Sequence, residues 1–218
     1  MVTIVVFAAH NDDHALAMGG TLALHYKRGD QVTTFVGSFG ELSHPHLRPE
    51  VIRKTRVKEA QRADRTLGGD GRVFFLGLRE LKFQEDFERK GYPQKLARRL
   101  RELKPDRVFV PMPDDTHPDH KALSTLVLAM LARSRLRSEI YGYRVYPRFS
   151  TIDAPRLIVD VSAAYRKKLD ALSAYRSQIR FFSYAFTNNI VFVYHLVRDL
   201  FAGFLKGTRF AETFYKLR

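Results

Sequence analysis

The segment Thr3-Ile4-Val5-Val6-Phe7-Ala8-Ala9 runs without a break into His10-Asn11-Asp12-Asp13. A run that is apolar in all but its first residue, followed at once by an imidazole and two carboxylates, reads as a buried strand whose carboxyl end carries polar chemistry. The pattern recurs where Arg107-Val108-Phe109-Val110-Pro111 leads to His117-Pro118-Asp119-His120. Outward from these two stretches, apolar runs at 31–37 and 72–77 alternate with helical-period segments near 15–28, 49–67, 92–103 and 118–133. That alternation predicts an α/β chain: a Rossmann-like, doubly wound, mostly parallel sheet with helices on both faces. Gly29-Asp30, Gly68-Gly69 and Lys104-Pro105-Asp106 punctuate the returns from helix to strand.

Further on, 139–146 and 156–161 read as strands that add an edge pair, and 163–178 as an amphipathic helix. Residues 1–178 are expected to form one core. Residues 179–218, with Phe181, Phe182, Tyr184, Phe186, Phe192, Tyr194 and Phe201, form an aromatic-rich C-terminal extension expected to pack on the core or at a homo-oligomer interface.

With 218 residues, 45% of them hydrophobic, the chain can bury one substantial core. It has no cysteine, which excludes disulfides and thiolate metal sites and suggests a reducing, cytoplasmic setting. The first strand begins without a basic leader. The most apolar later stretch, 190–205, is interrupted by His195, Arg198 and Asp199, so neither a signal peptide nor a transmembrane segment is expected. The net charge of +14 would attract nucleic acid, anionic lipid or acidic substrates. Many of the cations fall on helix faces such as Arg53-Lys54-Thr55-Arg56-Val57-Lys58, however, where they read as solvated surface, and no obligatory nucleic-acid partner follows from them.

Open α/β sheets bind ligands beyond the carboxyl ends of their strands, where the winding reverses. In the common strand order the first and fourth strands are neighbours, so the loops after residues 9 and 111 face one crevice. Imidazole and carboxylate groups gathered there suit an open Zn²⁺ site with three protein ligands and a fourth position for water. The candidates are His10, Asp12, Asp13, His14, Asp115, His117, Asp119 and His120. Adjacent aspartates leave a strand in different directions, so one of Asp12 and Asp13 binds metal and the other serves as general base. His117 and His120, three apart at a helix start, share a face. One can ligate zinc while the other, held cationic by Asp119, stabilises an oxyanion or protonates a leaving amine. A single His-Asp pair at a strand end is more often a cap or an ion pair; two pairs in one crevice argue for a metal-assisted hydrolase. His14 and the His44-Pro45-His46 loop are expected in supporting or surface positions. Two other functions fit less well. A metal-dependent phosphoesterase would use more carboxylates and fewer imidazoles. A non-catalytic basic protein binding glycan or nucleic acid would not need the full ligand set.

Ala9-His10-Asn11-Asp12-Asp13-His14, the Gly19-Gly20 pair and His117-Pro118-Asp119-His120 together resemble the PIG-L/LmbE-like N-deacetylases. The signature of that family runs Ala-His-Pro-Asp-Asp-Glu, then Gly-Gly, then His-Pro-Asp-His. The likeness extends over most of the chain through Arg56-Val57-Lys58-Glu59, Leu67-Gly68, Phe75-Leu76-Gly77, Ala174-Tyr175-Arg176-Ser177-Gln178 and Phe210-Ala211-Glu212-Thr213-Phe214. It implies a zinc enzyme that removes the acetyl group from an N-acetylglucosamine-type amino sugar or its conjugate. By the same resemblance His10, Asp13 and His120 hold Zn²⁺, and Asp12 is the general base for attack by a metal-bound water. His117 stabilises the oxyanion with Asp119 behind it, and Arg56 and Glu80 contact sugar hydroxyls. The chain departs from the pattern at Asn11, in place of proline, at His14, in place of glutamate, and at Asp115, where some members carry a tyrosine.

Overall fold

A computed structural model describes residues 1–41, 48–134, 136–146, 152–179 and 184–218, with the backbone alone at 179 and 184–189. Its centre is β1 (Thr3–Ala8), flanked by β2 (Gln31–Val36) on one side and β4 (Arg107–Pro111) on the other. With β3 (Val73–Phe75), β5 (Glu139–Tyr143), β6 (Arg156–Asp160) and β7 (Ala211–Lys216), the sheet runs in the order β3-β2-β1-β4-β5-β7-β6. β1 to β5 pair in parallel, and β7 is antiparallel to both of its neighbours.

A strand covered on both faces has no reason to alternate apolar with polar residues, and Ile4 to Ala8 are all fully buried. The period of two still divides them. Ile4, Val6 and Ala8 pack with Leu22, Ala60, Ala63 and Leu172, residues of α1 (Asp13–Lys27), α2 (Pro49–Leu67) and α6 (Tyr165–Leu172). Val5, Phe7 and Ala9 face the other side and meet Phe83, Phe87, Leu96, Leu100 and Val127, from α3 (Phe83–Arg89), α4 (Tyr92–Leu103) and α5 (Pro118–Arg133).

The helix expected over 163–178 is divided. A 3-10 turn at Ser162–Ala164 opens α6, and a break after Leu172 separates it from the short α7 (Arg176–Ile179). The strand expected at 72–77 is reduced to three residues. The edge of the sheet is also built differently: β6 does not pair with β5, because β7 lies between them. A long helix, α8 (Tyr184–Lys206), connects α7 to β7.

The Gly19-Gly20 pair has a packing cause. α1 is kinked at Met18 (φ −145°, ψ 19°), and the N–H groups of Gly20 and Thr21 donate to the Glu212 carboxylate of β7 at 3.0 and 2.7 Å. Lys168 of α6 donates to Glu212 at 2.7 Å and to Asp199 of α8 at 2.6 Å, and all three side chains are buried. A Cβ on Gly19 would stand 3.0 Å from Lys168 Cγ, and one on Gly20 2.7 Å from Val161 Cβ. Glycine there lets α6 and the end of β6 press against the helix that follows the His10 loop.

Candidate active site

β1 and β4 are adjacent and parallel, so the loops that leave their carboxyl ends open on the same edge of the sheet. This is the point where the winding reverses, with β2 to one side of β1 and β4 to the other. The first loop is short. Asp12 occupies the N-cap position of α1 without a side-chain cap, and Asp13 Oδ2 accepts the His10 N–H at 2.8 Å, closing the turn. In the second loop His117 is the N-cap of α5 and Pro118 its first residue. The N–H of Asp119 donates to His117 Nδ1 at 3.2 Å.

The two loops meet through their side chains. His10 Nδ1 lies 3.2 Å from His120 Nε2, His120 Nε2 lies 3.2 Å from Asp13 Oδ2, and His10 Nδ1 lies 3.8 Å from Asp13 Oδ1. Donors 2.0–2.1 Å from a tetrahedral zinc would stand about 3.3 Å apart, so the arrangement fits such an ion. Two donor groups, each within 4.8 Å of one another, stand out among the described residues: His10, His117 and His120, and His10, Glu80 and Asp119. The outward nitrogens of the first two histidines face carboxylates. His10 Nε2 is 3.4 Å from Asp119 Oδ2, and His120 Nδ1 is 3.2 Å from Asp115 Oδ1, an ion-pair contact off line for a hydrogen bond.

Asp119 was expected behind His117; its carboxylate stands beside His10. Its carboxylate accepts from the Leu81 N–H at 2.8 Å and approaches His10. Residues two apart at a helix start point in different directions, and the Asp119 carboxylate finds its hydrogen-bond partners at Leu81 and His10. His117, expected to be cationic, lies where its surroundings disfavour charge. Burial, and then the neighbouring His10 and His120 charges, push its pKa down to about 4. The imidazole is therefore neutral, and because Nδ1 accepts a backbone N–H the proton sits on Nε2. His117 and His120 do share a face, with ring centroids 4.9 Å apart.

The other groups are strongly polarised. Burial opposes charge on His10, but Asp119 and Asp13 overcome it and raise its pKa to about 10. For His120 burial is outweighed by Asp13 and Asp115, giving about 9. Burial works against the Asp13 carboxylate as well, yet His120 and His10 hold it well below the usual range. Asp12 goes the other way: burial and the adjacent Asp13 charge push it up to about 6, against the pull of Arg56 and His10.

Asn11, fully buried, joins this loop to α2 and α7. Its Oδ1 accepts from Arg56 Nη1 at 3.2 Å and from Gln178 Nε2 at 2.8 Å, and its carbonyl accepts from the Tyr175 hydroxyl at 2.9 Å. A proline at this position would offer no side-chain acceptor. Glu59 accepts from the N–H and hydroxyl of Ser177, so the segments 56–59 and 174–178 are two sides of one contact. Glu80 reaches the site, with Oε1 4.0 Å from His10 Nε2. His14 is wholly buried in α1, joins neither of those two donor groups, and is kept neutral by burial. The His44-Pro45-His46 segment lies outside the described residues. Tyr146 was not singled out in the sequence. It stacks on His117 and His120 at centroid distances of 5.7 and 5.5 Å, and its position just past β5, on the same edge of the sheet, was the available signal.

A model of the PIG-L family, described as GlcNAc-PI de-N-acetylase, matches residues 5–131. Over 186 residues the chain is 28% identical to a probable N-acetyl-alpha-D-glucosaminyl L-malate deacetylase 2 of Bacillus cereus, covering 80% of this chain and 83% of that protein. The N,N'-diacetylchitobiose deacetylase of Pyrococcus horikoshii is similar in structure with a TM-score of 0.80 at 24% identity, over 99% of this chain and 83% of that one. GalB, the 4-carboxy-2-hydroxymuconate hydratase of Pseudomonas putida, gives a TM-score of 0.81 at 18% identity, over all of this chain and 97% of that one. These two likenesses show the fold alone. The family match takes in both the His10 loop and the turn at His117 to His120, and it spans more than half of the sequence. By that match the chain belongs to the PIG-L family.

Proposed function

We propose that this protein is a zinc-dependent hydrolase that removes the acetyl group from an N-acetylglucosamine-type amino sugar or its conjugate. The observation that carries the proposal is the approach of His10 Nδ1, His120 Nε2 and the Asp13 carboxylate to within 3.2–3.8 Å of one another, beside an Asp12 carboxyl raised to about 6. The family match and the B. cereus relative support the substrate class.

His10, Asp13 and His120 would hold the ion, which when bound supplies Lewis acidity and lowers the pKa of water. With the ion in place each ring would give up one proton, and the carboxylates of Asp119 beside His10 Nε2 and Asp115 beside His120 Nδ1 favour keeping the remaining proton on those nitrogens, so that His10 Nδ1 and His120 Nε2 would be the ligand atoms. Asp12, its carboxyl raised to about 6 before any ion is bound, accepts a proton from the attacking water and returns it to the departing amine. The amide C–N bond breaks, acetate keeps the water oxygen, and the amine leaves with the proton that Asp12 held. His117, neutral and protonated on Nε2, donates to the oxygen on which negative charge develops. Arg56 and Glu80 flank this centre and contact sugar hydroxyls.

The fold alone does not choose the reaction, since a hydratase shares it. The donor set argues against a phosphoesterase, because it is rich in imidazole and the two donor groups share His10 and so do not make two separate ion sites. The test is acetate release from free N-acetylglucosamine, a chitobiose-type disaccharide and an N-acetylglucosaminyl malate conjugate, using metal-stripped and zinc-reloaded protein. Release that depends on reloading supports the proposal. Full activity after verified metal removal, or no release from any of the three, overturns it.

A further inference from the structure

Helix α8 is built inside out. Its buried face carries His195 and Asp199 beside Val191 and Ala202, and Asp199 takes hydrogen bonds from Lys168 and Arg198. The opposite face is apolar: Ile190, Val193, Val197, Phe201 and Phe204 follow one another at steps of three or four and line one stripe. All are open to solvent, Phe204 to 79%, and Leu200 and Leu205 widen the stripe. Between 190 and 205 it runs about 23 Å, a contiguous apolar surface of the kind that marks an interaction site.

Charge indicates what covers it. Among the described residues of α8 the only carboxylate, Asp199, is buried on the far side, and Arg198 is held by Asp199 and by the carbonyls of Ala17 and Arg144. The stripe ends at Lys206, with Arg209 three residues on, and both are exposed. A second copy placed stripe to stripe would set +14 against +14, whereas an anionic surface is attracted by the same charge. No described helix is long and apolar enough to cross a membrane, so α8 would lie in the plane of the interface.

We propose that the exposed face of α8 docks on an anionic lipid bilayer, with the aromatic and aliphatic stripe seated among the acyl chains and Lys206 and Arg209 at the headgroups. This goes beyond the deacetylase proposal and does not rest on it. The test is cosedimentation of the full chain with phosphatidylcholine vesicles, with and without phosphatidylserine, alongside light scattering of the protein alone. The expected result is binding to the phosphatidylserine vesicles that weakens with salt. The double variant Phe201→Asp/Phe204→Asp should lower the partition coefficient more than about tenfold. Both side chains are exposed, so its thermal melting should match that of the parent. Lys206→Glu/Arg209→Glu, which leaves the stripe intact, should also weaken binding. The proposal is overturned by absence of vesicle binding, by equal binding to neutral vesicles, or by binding that either double variant leaves unchanged. A dimer that Phe201→Asp/Phe204→Asp dissociates, in the absence of vesicle binding, would overturn it by assigning the stripe to a second copy.

Discussion

Asp119, on the turn that opens α5, places a carboxylate oxygen 3.4 Å from Nε2 of His10, at the far end of the sheet's central strand. Its other oxygen is fixed by the Leu81 N–H at 2.8 Å, so the carboxylate cannot turn away. A partner of this kind orients a metal-bound imidazole and raises its basicity. Asp119→Asn should therefore weaken zinc affinity by about 10–100-fold, measured by competition with a chelator. Unchanged affinity would mean that His10 is oriented by something else.

Asp12 and His120 should fail in different ways. Asp12→Asn is expected to keep its zinc and lose about 10²–10⁴-fold in kcat, as for removal of a general base. His120→Ala should lose the metal itself. Metal analysis of both variants beside acetate release separates the two, and equal loss of metal would break the division of roles.

The same carboxyl sets a pH profile. Asp12 works as a base only when ionised, so kcat/KM should rise as pH passes through its pKa, which burial and the Asp13 charge push up to about 6. A bound cation nearby can only move this limb lower. A limb centred well above 7 would assign the titration to another group.

Asp86 of α3 holds the segment that carries Glu80 and Leu81. Its buried carboxylate accepts from the Arg79 N–H at 2.9 Å and from the guanidinium groups of Arg79 and Arg89. The Arg79 side chain is the main reason that its pKa lies below the usual carboxylate range. A depressed carboxyl pKa contributes stability that is complete above the unfolded value near 3.8 and fades as pH falls through the folded one. Asp86→Asn should lower Tm by several degrees at neutral pH. The gap from the parent should narrow below pH 4, followed by circular dichroism; a gap independent of pH would place the effect in packing.

Glu212→Gln leaves Lys168 with one carboxylate in a buried site, and breaking such a pair costs about 3–5 kcal/mol. Urea denaturation should show the loss. Gly20→Ala should destabilise as well, because its methyl would stand 2.7 Å from Val161 Cβ.

Elements whose periodicity is local were legible in the sequence. The segments 49–67, 92–103, 107–111 and 118–133 are the bounds of α2, α4, β4 and α5, and the strand order that brings the two histidine loops together followed from the alternation. α3 is seven residues long and shows only Phe83 and Phe87 as core positions, too few to establish a period. The place of β7 depends on pairing with strands far away in sequence, which no local pattern reports. That the two histidine loops meet was legible, but the arrangement of their side chains was not. The backing of His10 by Asp119 depends on the angle at which α5 starts, and the neutrality of His117 depends on charges that only the folded chain brings beside it.

The insertion of β7 between β5 and β6 also sets the order of assembly. During synthesis β5 offers a bare backbone edge from the time it emerges until residues 211–216 follow, several seconds later at ordinary ribosomal rates. In the folded chain β6 joins the sheet through β7 alone, so until residues 211–216 emerge its native partner is missing and the edge of β5 is open to other strands.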